Sequence, residues 1–232
     1  MNTALGRTAA AAIILACIFT SPTLAVSEGA VETAAEIIAD ADVVYKTTFV
    51  MQCSQETWKR LVDRPALLGR LWNEYGFAPT YQVEMRHDTV HVEDSTGLVG
   101  DAIATEVKPG RRQYLINGEL DHWAVPFFNE GTAVLTLETQ VKGESVVGTA
   151  EVHLRANSGI GRVVLRAARP LLVKHVANRL DLNLLDAAKI FAAVEGGRRL
   201  AEDCPYGSSC AGDENDFVPL VRRFGPRPSH PR

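Results

Sequence analysis

Few residues in this chain have both the type and the spacing that chemistry requires. Asp101 is one. By strand alternation it shares a face with Val99 and Ile103, where an unpaired carboxylate is costly to bury. It is expected to pair with an arginine, hold a ligand hydroxyl or act as a base, unless a bulge turns it outward. His122 stands between Asp121 and Trp123. Adjacent strand residues point to opposite faces, so proton transfer by His122 lacks an orienting partner in Asp121. His175 lies beside an apolar helical stripe and reads as a helix-surface residue.

The cysteines divide into a pair and a single. Cys204 and Cys210 enclose five residues, including the turn formers Pro205 and Gly207, and a disulfide between them is expected in an oxidising compartment. A metal site there would lack a nearby histidine and use an unusual zinc spacing. Cys53 precedes a predicted helix, but nothing brings a histidine to it, and a buried thiol is the expectation. Arg155, Arg162, Arg166, Arg169 and Lys174 form a basic run, with Arg162, Arg166 and Arg169 at i, i+4 and i+7 on one helical face. That face is either simply solvated or offered to anionic lipid headgroups or an acidic partner.

Several signatures are missing. There is no G-x-x-x-x-G-K-[ST], no G-x-S-x-G and no H-E-x-x-H, and Gly159-Ile160-Gly161 lacks the third glycine of a dinucleotide site. No catalytic residue, metal or cofactor is therefore assigned. The 232 residues are 46% hydrophobic and 22% charged, which excludes disordered, collagenous and coiled-coil chains. A net charge of -4 argues against a general nucleic-acid binder.

These residues need elements to position them. Residues 1–25 read as a secretory signal peptide: Arg7 supplies the positive start, Ala9 to Phe19 the apolar run, and Thr23 and Ala25 the small residues of a cleavage site. An exported protein, periplasmic or extracellular, is expected. The rival reading takes Ile14-Leu15-Ala16-Cys17 as a lipobox that anchors the chain through Cys17. Residues 26–41 form a lead-in that contains a short helix. A domain at 42–195 follows, then a Cys-containing, partly disordered tail at 196–232.

Within the domain, Val43 to Met51 has strand composition. Ser54 is a candidate N-cap for a helix carrying Trp58, Leu61 and Val62, and Pro65 opens a second helix that Gly76 stops. From Tyr81 to Arg155 apolar residues alternate in six runs separated by turns, the pattern of an antiparallel meander; with the first strand the count is seven. After Gly159 the period returns to 3.6, in one apolar stripe that Gly196-Gly197 ends and Pro170 kinks or splits. The fold class is α+β: a curved seven-stranded antiparallel sheet, two short helices after the first strand, and a long C-terminal helix. The stripe is the one partner large enough to cover the sheet's apolar face.

That element order, with Tyr45-x-Thr47-x-Phe49 and then Thr57-Trp58-x-x-Leu61-x-Asp63, resembles the START-like superfamily of polyketide cyclases, dehydrases and lipid-transport proteins. The resemblance covers about residues 42–195. It implies a helix-grip fold with a cavity between sheet and terminal helix, holding a lipid or other apolar small molecule. Trp72, Tyr81, Met85, Asp101, Tyr114, Trp123, Phe127, Phe128, Leu172 and Val176 are the expected ligand-facing residues, whereas Trp58 is expected in the core. The Trp123–Phe128 segment is expected to be a lid, a partner patch or a membrane contact, or else to fold under the helix. A cyclase-type enzyme using Asp101 or His122, or an envelope interaction protein with a collapsed interior, are the alternatives.

Overall fold

The computed structural model describes residues 27–120, 130–167 and 169–201, except the side chains at 120, 171, 172, 175 and 197–201. A helix α1 (Glu28–Ala39) leads into strand β1 (Val43–Met51), and two short helices follow, α2 (Gln55–Val62) and α3 (Pro65–Glu74). Six strands come next: β2 (Tyr81–Arg86), β3 (Thr89–Asp94), β4 (Leu98–Lys108), β5 (Arg111–Leu120), β6 (Glu130–Lys142) and β7 (Ser145–Ala156). Helices α4 (Gly159–Ala167) and α5 (Arg169–Ala201) complete the described chain.

The local signals act as expected. Ser54 caps α2 by accepting a hydrogen bond from the Thr57 amide at 3.2 Å, and Pro65 sits in the first turn of α3. Gly76 takes a φ of 73°, a left-handed value that lets the chain leave α3 without steric cost. Pro170 lies in the first turn of α5, where its missing N–H costs nothing, so the helical stretch is split near it. Gly196-Gly197 does not end α5, which runs on to Ala201. Two helix-interior glycines cost about 2 kcal/mol against alanine, too little to stop a helix of 33 residues.

All seven strands belong to one antiparallel sheet, ordered β1-β7-β6-β5-β4-β3-β2. β1 and β2 are its edges, and the sheet is curved and unclosed. Its concave face carries Tyr114, Ile116, Leu135, Val152 and their neighbours, which pack with α2, α3 and α5 into the main core. α5 runs along β1 and α3 along β2, so one helix lies over each edge. The end of α5 is tied to the start of α2: Glu195 accepts hydrogen bonds from the Ser54 amide at 3.1 Å and its hydroxyl at 3.0 Å.

The lead-in helix is part of the folded unit. Ala30, Ala34 and Ile37 of α1 are buried against Ile103, Leu115 and Val134 on the convex face, forming a second small core. The fold thus has three layers: α1, the sheet, and the α2–α3–α5 group. Among the described residues, no helix is long and apolar enough to cross a membrane.

Candidate functional site

Aromatic rings occupy much of the space between sheet and helices. Trp58 of α2 is stacked between Phe49 of β1 (centroids 5.7 Å apart) and Phe191 of α5 (5.2 Å). Trp72 of α3 meets Phe77 and Tyr81 edge-on at 5.2 and 5.5 Å, and its indole N–H donates to the Pro79 carbonyl at 2.9 Å. Such pairs add about 0.5–1.5 kcal/mol each beyond their burial.

The concave face stays open at one end. A cleft of about 310 Å³ lies between α2 and the turns that join β4 to β5 and β6 to β7. Trp58, Val107, Leu137, Val141 and Val146 make its apolar floor. Lys59, Lys108, Arg111 and Arg112 border it; Arg112 shares the concave face with Leu137, whereas Lys108 and Arg111 share the convex face with Glu106 and Glu138. Lys108 and Arg111 reach Glu106 at 2.6 and 2.8 Å, Arg111 also touches Glu138, and Arg112 Nη2 lies 2.8 Å from Asp63 Oδ1. Hydrogen bonds from Lys108 and Arg111 hold the Glu106 carboxyl below the usual carboxylate range. Burial pushes Asp63 the other way, against the pull of Arg112. Arg112 Nη1 is buried and has no hydrogen-bond partner among the described residues.

At the opposite end the concave face carries only small residues. Gly100, Gly118, Gly131 and Ala156 pair across four neighbouring strands, so one row of inward positions carries at most a methyl group. The row is about 15 Å wide. Strand-interior glycines in register mark a place where something approaches the backbone closely.

A polar group joins α5 to β2. The Tyr81 hydroxyl lies 3.0 Å from Arg179 Nη2, and Asn183 is buried beside it. Burial pushes the Tyr81 phenol up to about 12. Next to it in the sheet, Asp94 Oδ1 accepts from the Thr96 amide and hydroxyl and from the Leu98 amide, organising the β3–β4 turn.

The residues expected to face a ligand are thus dispersed. Trp72, Tyr81, Tyr114 and Val176 lie in the main core. Met85 is on the edge strand β2 and 38% exposed. Asp101 is on the convex face, away from the cleft. No bulge is needed to put it there, because Val99 and Ile103 face that way too, and Ile103 packs toward α1. Asp101 Oδ1 meets His91 Nδ1 at 2.7 Å, and Glu93 Oε1 holds the other ring nitrogen at 3.2 Å. Trp123, Phe127, Phe128, His122, Cys204 and Cys210 lie outside the described residues, as do the side chains of Leu172 and His175.

Two of the three helical arginines have partners within the chain. Arg162 and Arg166 of α4 bind Asp42, at 3.3 and 2.8 Å, and Asp40, at 2.8 and 3.4 Å. Sequence reasoning missed the cations around the β4–β5 turn. The signal was Lys108-Pro109-Gly110-Arg111-Arg112, one turn bordered by three cations.

Cys53 is fully buried and free, and burial beside Glu195 pushes its thiol up to about 12. Against an ordinary thiol value of 9.0, that leaves about a thousandfold less thiolate near neutral pH. Folded protein at pH 8 is expected to resist iodoacetamide at Cys53, and denatured protein to react, as read by peptide mass spectrometry. Tyr81 and Cys53 both bind their protons more tightly folded than unfolded. Stability is therefore unaffected by them well below pH 9 and falls as pH rises from about 9 toward 12.

No family model matches the chain, and no curated protein is similar enough to count as a match. Solved structures do resemble it. A conserved protein from Geobacillus kaustophilus is 14% identical, with 65% of this chain and 95% of that one covered and a TM-score of 0.47. Ms6760 from Mycobacterium smegmatis is 13% identical, covering 67% and 95%, with a TM-score of 0.42. A protein from Arthrobacter aurescens solved by NMR is 10% identical, covering 74% and 94%, with a TM-score of 0.39. The fold of this chain is consistent with a helix-grip-like α+β arrangement, a curved antiparallel sheet around a long C-terminal helix.

Proposed function

We propose that this protein is an exported START-like carrier that binds a lipid or other apolar small molecule on the concave face of its sheet. The observation that carries the reading is a cleft of about 310 Å³ between α2 and two β-turns, with apolar side chains at its base. That size is at the lower end of small-molecule sites. A protein that needed only a stable core would gain by filling it, at about 25 cal/mol per Å² of apolar surface removed from water. Export is supported by the pattern of residues 1–25, and a START-like origin by the element order and the Thr57–Asp63 motif. No covalent step is required, since affinity comes from burial and a few polar groups for orientation.

Native mass spectrometry of protein purified without detergent tests this, together with thermal shifts across a panel of apolar compounds. A co-purified apolar adduct, or a concentration-dependent rise in Tm, is expected. Absence of both would overturn the carrier reading.

A further inference from the structure

We propose that helix α4 is a membrane-docking element that lays its outer face on an anionic lipid surface. This goes beyond the carrier reading and does not rest on it, since docking needs no ligand in the cleft. α4 (Gly159–Ala167) has two apolar faces. Gly161 and Leu165 are buried where the helix packs along β7. On the other side Ile160, Val163 and Val164 are 70%, 69% and 40% exposed, and Ala167 is exposed too. These positions, i, i+3, i+4 and i+7, fall within an arc of about 100°. One apolar stripe is enough to pack a helix on a domain, as α1 shows by burying Ala30, Ala34 and Ile37. A second stripe turned to water is unfavourable until another surface covers it, and contiguous exposed patches of this kind mark interaction sites.

Charge identifies that surface. The chain as a whole is acidic, with a net charge of -4, yet from Val152 to Leu180 it has six cations and no Asp or Glu. Not all six are available. Arg162 and Arg166 lie on the flank of α4 and are answered by Asp40 and Asp42, with Arg155 a third cation near Asp40. Arg179 turns to the Tyr81 hydroxyl. Arg169 and Lys174, just beyond the end of α4, are exposed and have no ion-pair partner among the described residues. An acid-free helix with an outward apolar stripe and basic residues beside it has the character of a helix that lies in a headgroup layer, its apolar side chains among the upper acyl carbons and its cations on the lipid phosphates. A second copy of this chain fits the face less well. Three large side chains cover far less than the about 800 Å² per partner of a stable interface, and two-fold pairing would bring the same cations of both copies together.

The test is vesicle co-sedimentation of the processed chain, residues 26–232, because the apolar run of residues 1–25 would itself bind lipid. Vesicles of phosphatidylcholine alone are compared with an equimolar mixture of phosphatidylcholine and phosphatidylglycerol. Binding to the mixed vesicles is expected to be about tenfold or more tighter, with the difference shrinking as salt is raised. The double variant Ile160→Ser, Val163→Ser is expected to weaken binding to the mixed vesicles about tenfold or more. Arg169→Gln with Lys174→Gln should remove most of the preference for the anionic lipid. All four positions are exposed, so each variant should keep the parent's Tm and its response to apolar compounds, which separates this test from that of the carrier reading. Leu182→Ser with Leu185→Ser, an equally exposed apolar pair further along α5, should bind as the parent does. Equal binding to both vesicles, or binding to neither, would overturn the proposal. So would full retention by the Ile160, Val163 variant, or an equal loss in the Leu182, Leu185 variant. Sedimentation velocity without lipid adds a last check: a dimer abolished by Ile160→Ser, Val163→Ser would overturn the lipid surface in favour of a second copy.

Discussion

Asp42→Ala is expected to lower the free energy of unfolding by about 3–5 kcal/mol. The carboxylate has no solvent exposure. It accepts a hydrogen bond from the Ala156 amide at 3.2 Å, and its other oxygen lies 2.8 Å from Arg166 Nε and 3.3 Å from Arg162 Nε. It therefore joins the start of β1 to the end of β7 and helix α4, more than 100 residues further along the chain. Truncation removes the acceptor of a buried amide and leaves a void where two guanidinium groups converge. Both arginines reach solvent and keep Asp40, so the loss should fall toward the lower end of the range. Asp42→Asn retains an acceptor for Ala156 and should recover part of it. Urea titration followed by circular dichroism reads the difference. A loss below about 1 kcal/mol would mean that the cluster is ordinary surface electrostatics.

Trp58→Ala should cost about 3–5 kcal/mol, the usual range for truncating a buried indole. In a chain of this size that corresponds to a fall in Tm of about 6–20 °C. The ring is 5% exposed and lies between Phe49 and Phe191, so its removal cuts two aromatic contacts and separates β1 from α5. Trp58 also forms part of the cleft floor. If an apolar ligand occupies the cleft, added ligand should raise the Tm of the variant more than that of the parent, because it fills the void. A variant that loses stability but gains nothing from ligand would argue that the floor is only the back of the core.

Much of the fold was legible in the sequence because it rests on local signals. Alternation from Tyr81 to Arg155 marked six strands, Ser54 and Pro65 marked two helix starts, and Pro170 marked a break. What escaped depends on distant contacts. Val99, Asp101 and Ile103 were correctly placed on one face, but alternation does not say which face is concave. Here both faces carry apolar residues, because α1 covers the convex one. Arg162 and Arg166 looked like a free basic surface because Asp40 and Asp42 lie 120 or more residues away. The cleft needs α2 beside two β-turns, a neighbourhood made only when the sheet curves. Trp58 was read as core, and it is, but it also forms the floor of the opening.

The central claim is that an apolar chain lies on the open end of the concave face. Intermolecular NOEs between methyl-labelled protein and dodecanoate test it most directly. NOEs from the ligand chain to Val107, Leu137, Val141 and Val146 are expected, since these residues line the cleft. A wider depression on the other side of the sheet, bounded by Val50 and Val147, is the natural comparison. NOEs to those two residues with none to the first four would contradict binding in the cleft.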